Sequence, residues 1–127
     1  MTVLVDTAVI VDHLRNDQRA VRLMTDLLRS DERVWAATPT RTEILAGLRP
    51  KEQAPMSALF DVLSWIEIGI DVADQAGALA RRYRSSHSGI DTTDYLIAAA
   101  AQSIGARVLT LNVKHFPMFP DLQPAYR

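Results

Sequence analysis

At 127 residues and 14.1 kDa, with 48% hydrophobic and 23% charged residues, the chain has the size and composition of one globular domain. Its formal net charge of −1 excludes a globally basic nucleic-acid binder, and the lack of cysteine excludes disulfides, thiolate metal sites and thiol chemistry. No apolar run approaches the roughly 20 residues that span a membrane, and no signal-type segment opens the chain, so a cytoplasmic location and no membrane partner are expected.

In chain order, Thr2–Val5 is short, β-branched and apolar, and it predicts a strand that leads at once into a helix over Ala8–Leu14. Val21, Met24 and Leu28 recur at i, i+3 and i+7 within a second helix, Arg19–Leu28. Val34–Ala36 reads as a strand, and Thr38-Pro39 opens a helix that carries Glu43 and weakens at Gly47. A helix from about Glu52 to Leu63 precedes a strand over Trp65–Ile68. Asp71 is the expected cap of the next helix, along which Val72, Ala76, Leu79 and Tyr83 line one face. After the loop Ser85–Gly89 comes a small-residue, apolar helix opened by Asp94, then a strand over Arg107–Thr110 and a tail rich in proline and aromatics.

Strands separated by helices imply parallel pairing through right-handed crossovers, hence a three-layer α/β/α domain around a mainly parallel sheet of four to five strands. Sites in such sheets lie beyond the carboxyl ends of the strands. Asp6 and Asn112 each follow strand residues there, and Asp94 opens the most apolar helix. Each polar residue also has a structural explanation. Asp6 is a suitable helix cap, as is Asp91 before Thr92-Thr93-Asp94, and Glu43 stands three residues after Thr40 in a capping-box spacing. His87 and His115 read as surface or packing residues, and Arg81, Arg82 and Arg84 as a solvated helix face. Taken together, the acids suggest a site for a hard divalent cation, which would relieve the repulsion between gathered carboxylates and activate water against a phosphoryl group.

Leu4-Val5-Asp6-Thr7, Thr40-Arg41-Thr42-Glu43-Ile44, Asp94-Tyr95-Leu96-Ile97-Ala98-Ala99 and Leu109-Thr110-Leu111-Asn112-Val113-Lys114-His115-Phe116, in that order, resemble the PIN-domain ribonucleases of the VapC toxin type. The resemblance covers essentially the whole chain, residues 1–127, as a single PIN domain. It implies an Mg²⁺-dependent endoribonuclease (Mn²⁺ being the alternative ion) that acts as the toxin of a type II toxin–antitoxin pair. The acidic site matches Asp6, Glu43 and Asp94, with Asn112 where many relatives carry aspartate, and Asp91 offers an extra carboxylate. The missing charge at Asn112 puts a second tightly held metal in doubt more than catalysis itself. Thr7 would orient a ligand or water, and Arg41, Arg81, Arg82 and Arg84 are candidates for holding the RNA backbone. The implied partners are a VapB-type antitoxin, a structured RNA (tRNA or ribosomal RNA ahead of messenger RNA), a second copy of the chain, and operator DNA through the antitoxin.

Two alternatives stay open from sequence. One is a catalytically impaired PIN module that binds RNA or protein, suggested by Asn112. The other is a phosphotransfer receiver or phosphatase. It is opposed by the lack of an acid at the end of the middle strand and by Ala8 standing where an Asp-x-Asp signature needs aspartate.

Overall fold

The computed structural model describes residues 2–127. β1 (Thr2–Val5) leads through Asp6 into α1 (Thr7–Leu14), and α2 (Gln18–Arg29) returns the chain to β2 (Arg33–Ala37). α3 (Thr38–Ala46), a 3₁₀ turn at Pro50–Glu52 and α4 (Gln53–Val62) then connect to β3 (Ser64–Ile66). α5 (Ile70–Tyr83), α6 (Thr92–Ser103) and β4 (Arg107–Leu109) complete the sheet, and a 3₁₀ turn at Val113–His115 begins the tail.

All three strand pairings are parallel, in the order β3-β2-β1-β4. The alternation of side chains along each strand divides the core into two layers. Val3, Val5, Val34, Ala36 and Leu109 pack with Val9, Ile10, Met24, Ile44 and Phe60 on the face covered by α1 to α4. Leu4, Ala37 and Val108 pack with Leu79, Ala98, Ala101 and Phe116 on the face covered by α5 and α6. The three-layer architecture follows from that division, and the sheet has four strands.

α6 is apolar nearly all round, which suits a helix enclosed by other elements. Ala98, Ala99, Ala100 and Ala101 are all fully buried, and their methyl groups let the helix lie close to both the sheet and α5. The strand order reverses direction at β1: successive strands step to one side through β2 and β3, and β4 then returns to the other side. The carboxyl ends of β1 and β4 therefore frame the crevice in which such sheets place their ligands.

Three local expectations change. β3 ends at Ile66, not Ile68, because β2 pairs with it over only three residues and nothing extends the ladder. Gly69, not Asp71, is the N-cap of α5, and Asp71 sits in the first turn, where its charge still suits the helix dipole. β4 ends at Leu109, not Thr110, whereas the helix expected from about Glu52 to Leu63 is found as α4, preceded by the 3₁₀ turn in which Arg49 N–H donates to the Glu52 carboxylate at 2.9 Å.

Candidate active site

Asp6 occupies the joint between β1 and α1 and is 4% exposed. Both of its carboxylate oxygens are held. The backbone N–H of Thr7 donates to Oδ1 at 2.8 Å, and the Thr110 hydroxyl donates to Oδ2 at 2.7 Å. Asp6 thus caps α1 and also faces the crevice, so the two sequence readings are compatible. Burial raises its pKa above the ordinary value of 3.8, and the Thr110 and Thr7 hydrogen bonds oppose that rise. Thr110 lies just past the end of β4, fully buried, and its Oγ1 also accepts the Asn112 N–H at 3.0 Å. One hydroxyl therefore links the first acid to the loop that carries Asn112.

Glu43 reaches the crevice from α3. The Thr7 hydroxyl lies 2.8 Å from Glu43 Oε1 and 2.9 Å from the Thr40 hydroxyl. A carboxylate accepts only, so Thr7 donates to Glu43 and must accept from Thr40, which fixes the direction of the chain Thr40 to Thr7 to Glu43. The capping-box reading of Thr40 and Glu43 is corrected here: α3 is capped at Ala37 with no side-chain bond, and both residues turn instead toward α1.

Asp91 and Asp94 form a reciprocal cap at the start of α6. Asp94 N–H donates to Asp91 Oδ1 at 2.9 Å, and Asp91 N–H donates to Asp94 Oδ2 at 3.3 Å. The 3₁₀ turn after Asn112, anchored by fully buried Phe116, brings His115 Nδ1 to 3.0 Å from Asp94 Oδ2. Asp94 has its pKa raised to about 6, first by burial and then by the neighbouring Asp91 and Asp6, with the Asp91 backbone bond and His115 acting in the other direction.

Asp6, Thr7, Glu43, Asp91, Asp94, Asn112 and His115 line one open crevice of about 260 Å³. All four matched positions and the extra carboxylate therefore meet in one place, from elements up to 106 residues apart in sequence, the separation of Asp6 and Asn112. No lysine or arginine lines it. The arginines expected to hold substrate lie elsewhere. Arg41 stacks on the edge-to-face pair Phe60 and Trp65, at 4.6 and 4.8 Å from the ring centroids, and Arg82 lies over Tyr83 at 5.2 Å. Arg81 and Arg84 are exposed at the end of α5 and line no part of the crevice. Sequence reasoning missed the roles of Thr40, Thr110 and His115. His115 stood in the Asn112–Phe116 run, but its partner lies 21 residues upstream.

An acid-lined crevice at the switch point of a parallel four-stranded sheet defines a class of protein, and comparison with known proteins agrees on which. The PIN domain model matches residues 3–117. Ribonuclease VapC19 of Mycobacterium tuberculosis (strain H37Rv) is 50% identical over 97% of this chain and 98% of its own. Ribonuclease VapC10 of the same organism is 36% identical over 98% of this chain and 92% of its own. In the solved structure of VapBC2 from Rickettsia felis, bound to a DNA fragment from the promoter of its own genes, one chain superposes with a TM-score of 0.80, at 20% identity and 96% coverage of each chain. The chain belongs to the PIN-domain family, and among its members it is similar over nearly its whole length to VapC ribonucleases.

Proposed function

We propose that this protein is a metal-dependent endoribonuclease toxin that hydrolyses RNA phosphodiester bonds and is restrained by a VapB-type antitoxin. The observation that carries the reading is the convergence of Asp6, Glu43, Asp91, Asp94 and Asn112 on one crevice in a chain that is half identical to a ribonuclease. The donor chemistry fits Mg²⁺ or Mn²⁺. Its oxygens are hard, positive charge in the lining is limited to what His115 can carry, and burial beside other acids holds Asp94 at a pKa of about 6, as a site short of cations requires. Mg²⁺ is commonly bound by one or two carboxylates and keeps several waters.

Asp6 and Asp94 would hold the ion, with Glu43 and Asp91 completing its surroundings directly or through water. When bound, the ion supplies Lewis acidity toward the phosphate and a more acidic water. The chain's own residues supply the rest. Hydrogen bonds from Thr110 and the Thr7 N–H favour the charged form of Asp6 and so oppose the effect of its burial. The Thr40–Thr7 relay occupies Glu43 Oε1, and Oε2 is left to orient the attacking water and take up its proton. The Asn112 side chain, lining the same crevice, donates to a phosphate oxygen without adding a charge that would repel it.

The substrate proposed is a structured RNA, tRNA or ribosomal RNA, whose unstacked loop bases such proteins can reach. An antitoxin arginine set against Asp6 or Asp94 would occupy the crevice, since a guanidinium pairs well with carboxylates. Operator DNA would be reached through the antitoxin, and a homodimer is proposed for the toxin. The test is cleavage of total RNA and a structured-RNA panel by antitoxin-free protein, with Mg²⁺ or EDTA and with Asp6→Asn and Asp94→Asn. Discrete cuts that need the metal and vanish in both variants are expected. No cutting by folded protein would favour a binding module, with Asn112 marking the lost chemistry.

A further inference from the structure

The acid crevice cannot itself attract a polyanion, because no lysine or arginine lines it. Beyond the ion the crevice would hold, affinity for an RNA backbone draws on cations outside it that the strand can reach without leaving the surface. A groove leads to such cations. Glu43 lines both the crevice and an adjoining hollow between α1 and α3 floored by Val11, Leu14, Ile44 and Leu48. That hollow in turn shares Leu14, Arg15 and Glu52 with a pocket bearing Arg15, Arg49 and Lys51.

The helical repeat of α1 produces this path. Thr7, Val11 and Leu14-Arg15 recur at i, i+4 and i+7/i+8, so one stripe of the helix runs from the crevice to the basic pocket. Arg49 and Lys51 flank Pro50 at the 3₁₀ turn, whose fixed backbone presents both side chains beside the end of α1. Arg15, Arg49 and Lys51 are exposed, and none of the three is in an ion pair among the described residues. The acid in the pocket, Glu52, is buried, and its Oε1 accepts the Arg49 N–H at 2.9 Å.

We infer that Arg15, Arg49 and Lys51 form a phosphate-binding subsite for the RNA strand, linked to the acid crevice by the apolar floor between α1 and α3. This rests on the endoribonuclease reading and names where that enzyme holds its substrate. From Thr7 to Arg15 the rise along α1 is roughly 12 Å, about two to three nucleotides of a partly stacked strand, so the subsite holds phosphates about two to three nucleotides from the one cut. The apolar floor between them suits an unstacked base lying flat on Val11 and Leu14.

The test uses a cleavable RNA fragment trimmed stepwise from each end, with wild type, the triple variant Arg15→Gln/Arg49→Gln/Lys51→Gln, and Arg22→Gln/Arg29→Gln on α2 as a charge control. For the triple variant, kcat/KM on the full fragment should fall about ten- to fiftyfold, and the slope of log kcat/KM against log salt should flatten by about 2, three cations at roughly 0.7 each. The α2 control should cut like wild type, and all three proteins should share one urea midpoint. On fragments trimmed past the third nucleotide on the relevant side, wild type and triple variant should converge. Unchanged cleavage and salt slope in the triple variant, or an equal loss on trimmed and full fragments, overturns the subsite while the nuclease stands. Failure of wild type to cut any RNA overturns both.

Discussion

Replacing Thr110 with valine keeps the shape of a fully buried side chain and removes the hydroxyl that donates to Asp6 Oδ2 at 2.7 Å. A hydrogen bond to a charged group contributes about 1.5–3 kcal/mol, and water can replace the lost acceptor for the N–H of exposed Asn112. The loss at pH 8 should therefore be about 2–3 kcal/mol. The sign of its pH dependence follows from Asp6. Burial already raises this pKa above 3.8, so the folded state favours the protonated acid, and the corresponding stability is present below 3.8 and lost as pH rises through the folded value. Thr110 limits that loss. Without its hydroxyl the pKa of Asp6 climbs further, and the gap between variant and wild type widens with pH. Urea denaturation should show a midpoint lower by roughly 1–2 M at pH 8 and a clearly smaller difference at pH 4. Mn²⁺ titration at pH 7 should show weaker binding that recovers as pH is raised. A gap that is the same at both pH values would refute the idea that Thr110 acts through the charge on Asp6.

Because Asp94 has a pKa near 6, cleavage should rise with pH through about 6, while the metal-free protein loses stability between about 4 and 6; pH–rate profiles and melts in EDTA would show both. His115→Gln removes a group that lowers the Asp94 pKa, so the acid limb of the pH–rate profile should move to higher pH with little change in the plateau rate. Thr7→Val cuts the relay to Glu43 and should reduce kcat about ten- to a hundredfold with substrate affinity nearly unchanged, whereas Thr40→Val should do less. Arg41→Ala should lower stability by about 1 kcal/mol through loss of its stack on Phe60 and Trp65, with no change in the salt dependence of cleavage. Saturating Mg²⁺ at a hundred times its dissociation constant should stabilise wild type by about 2.7 kcal/mol, and Asp6→Asn should abolish most of that gain.

Apolar patterning and helix-start signals in the sequence were enough to place the six α-helices and four strands, because those signals are local. Val3 and Val5 face one layer and Leu4 the other, as the alternation requires. The limits of that reading are equally physical. Nothing local ends β3 at Ile66; the reach of its pairing with β2 does. The acids were legible because each opens or follows an element with few other reasons to carry charge. Thr40, Thr110 and His115 were not, since each works through a partner in a different element, 104 residues away in the case of Thr110 and Asp6. The dense arginine run at 81–84 drew attention by its spacing alone, while Arg15 and Arg49 become neighbours only when α1 packs beside α3.

The four buried alanines of α6 carry a consequence for how this site can change. Asp94 is rigidly tied to them by its helix, so its distance from Asp6 is set by how closely bare methyl groups let that helix settle on the sheet. Enlarging one of them costs about 1–3 kcal/mol in overpacking and shifts the helix, and with it Asp94, relative to Asp6. Drift in sequence along this stretch is therefore drift in the spacing of the reacting groups. The tolerance of the chemistry, measured in ångströms, is written in residues that have almost no side chain with which to express it.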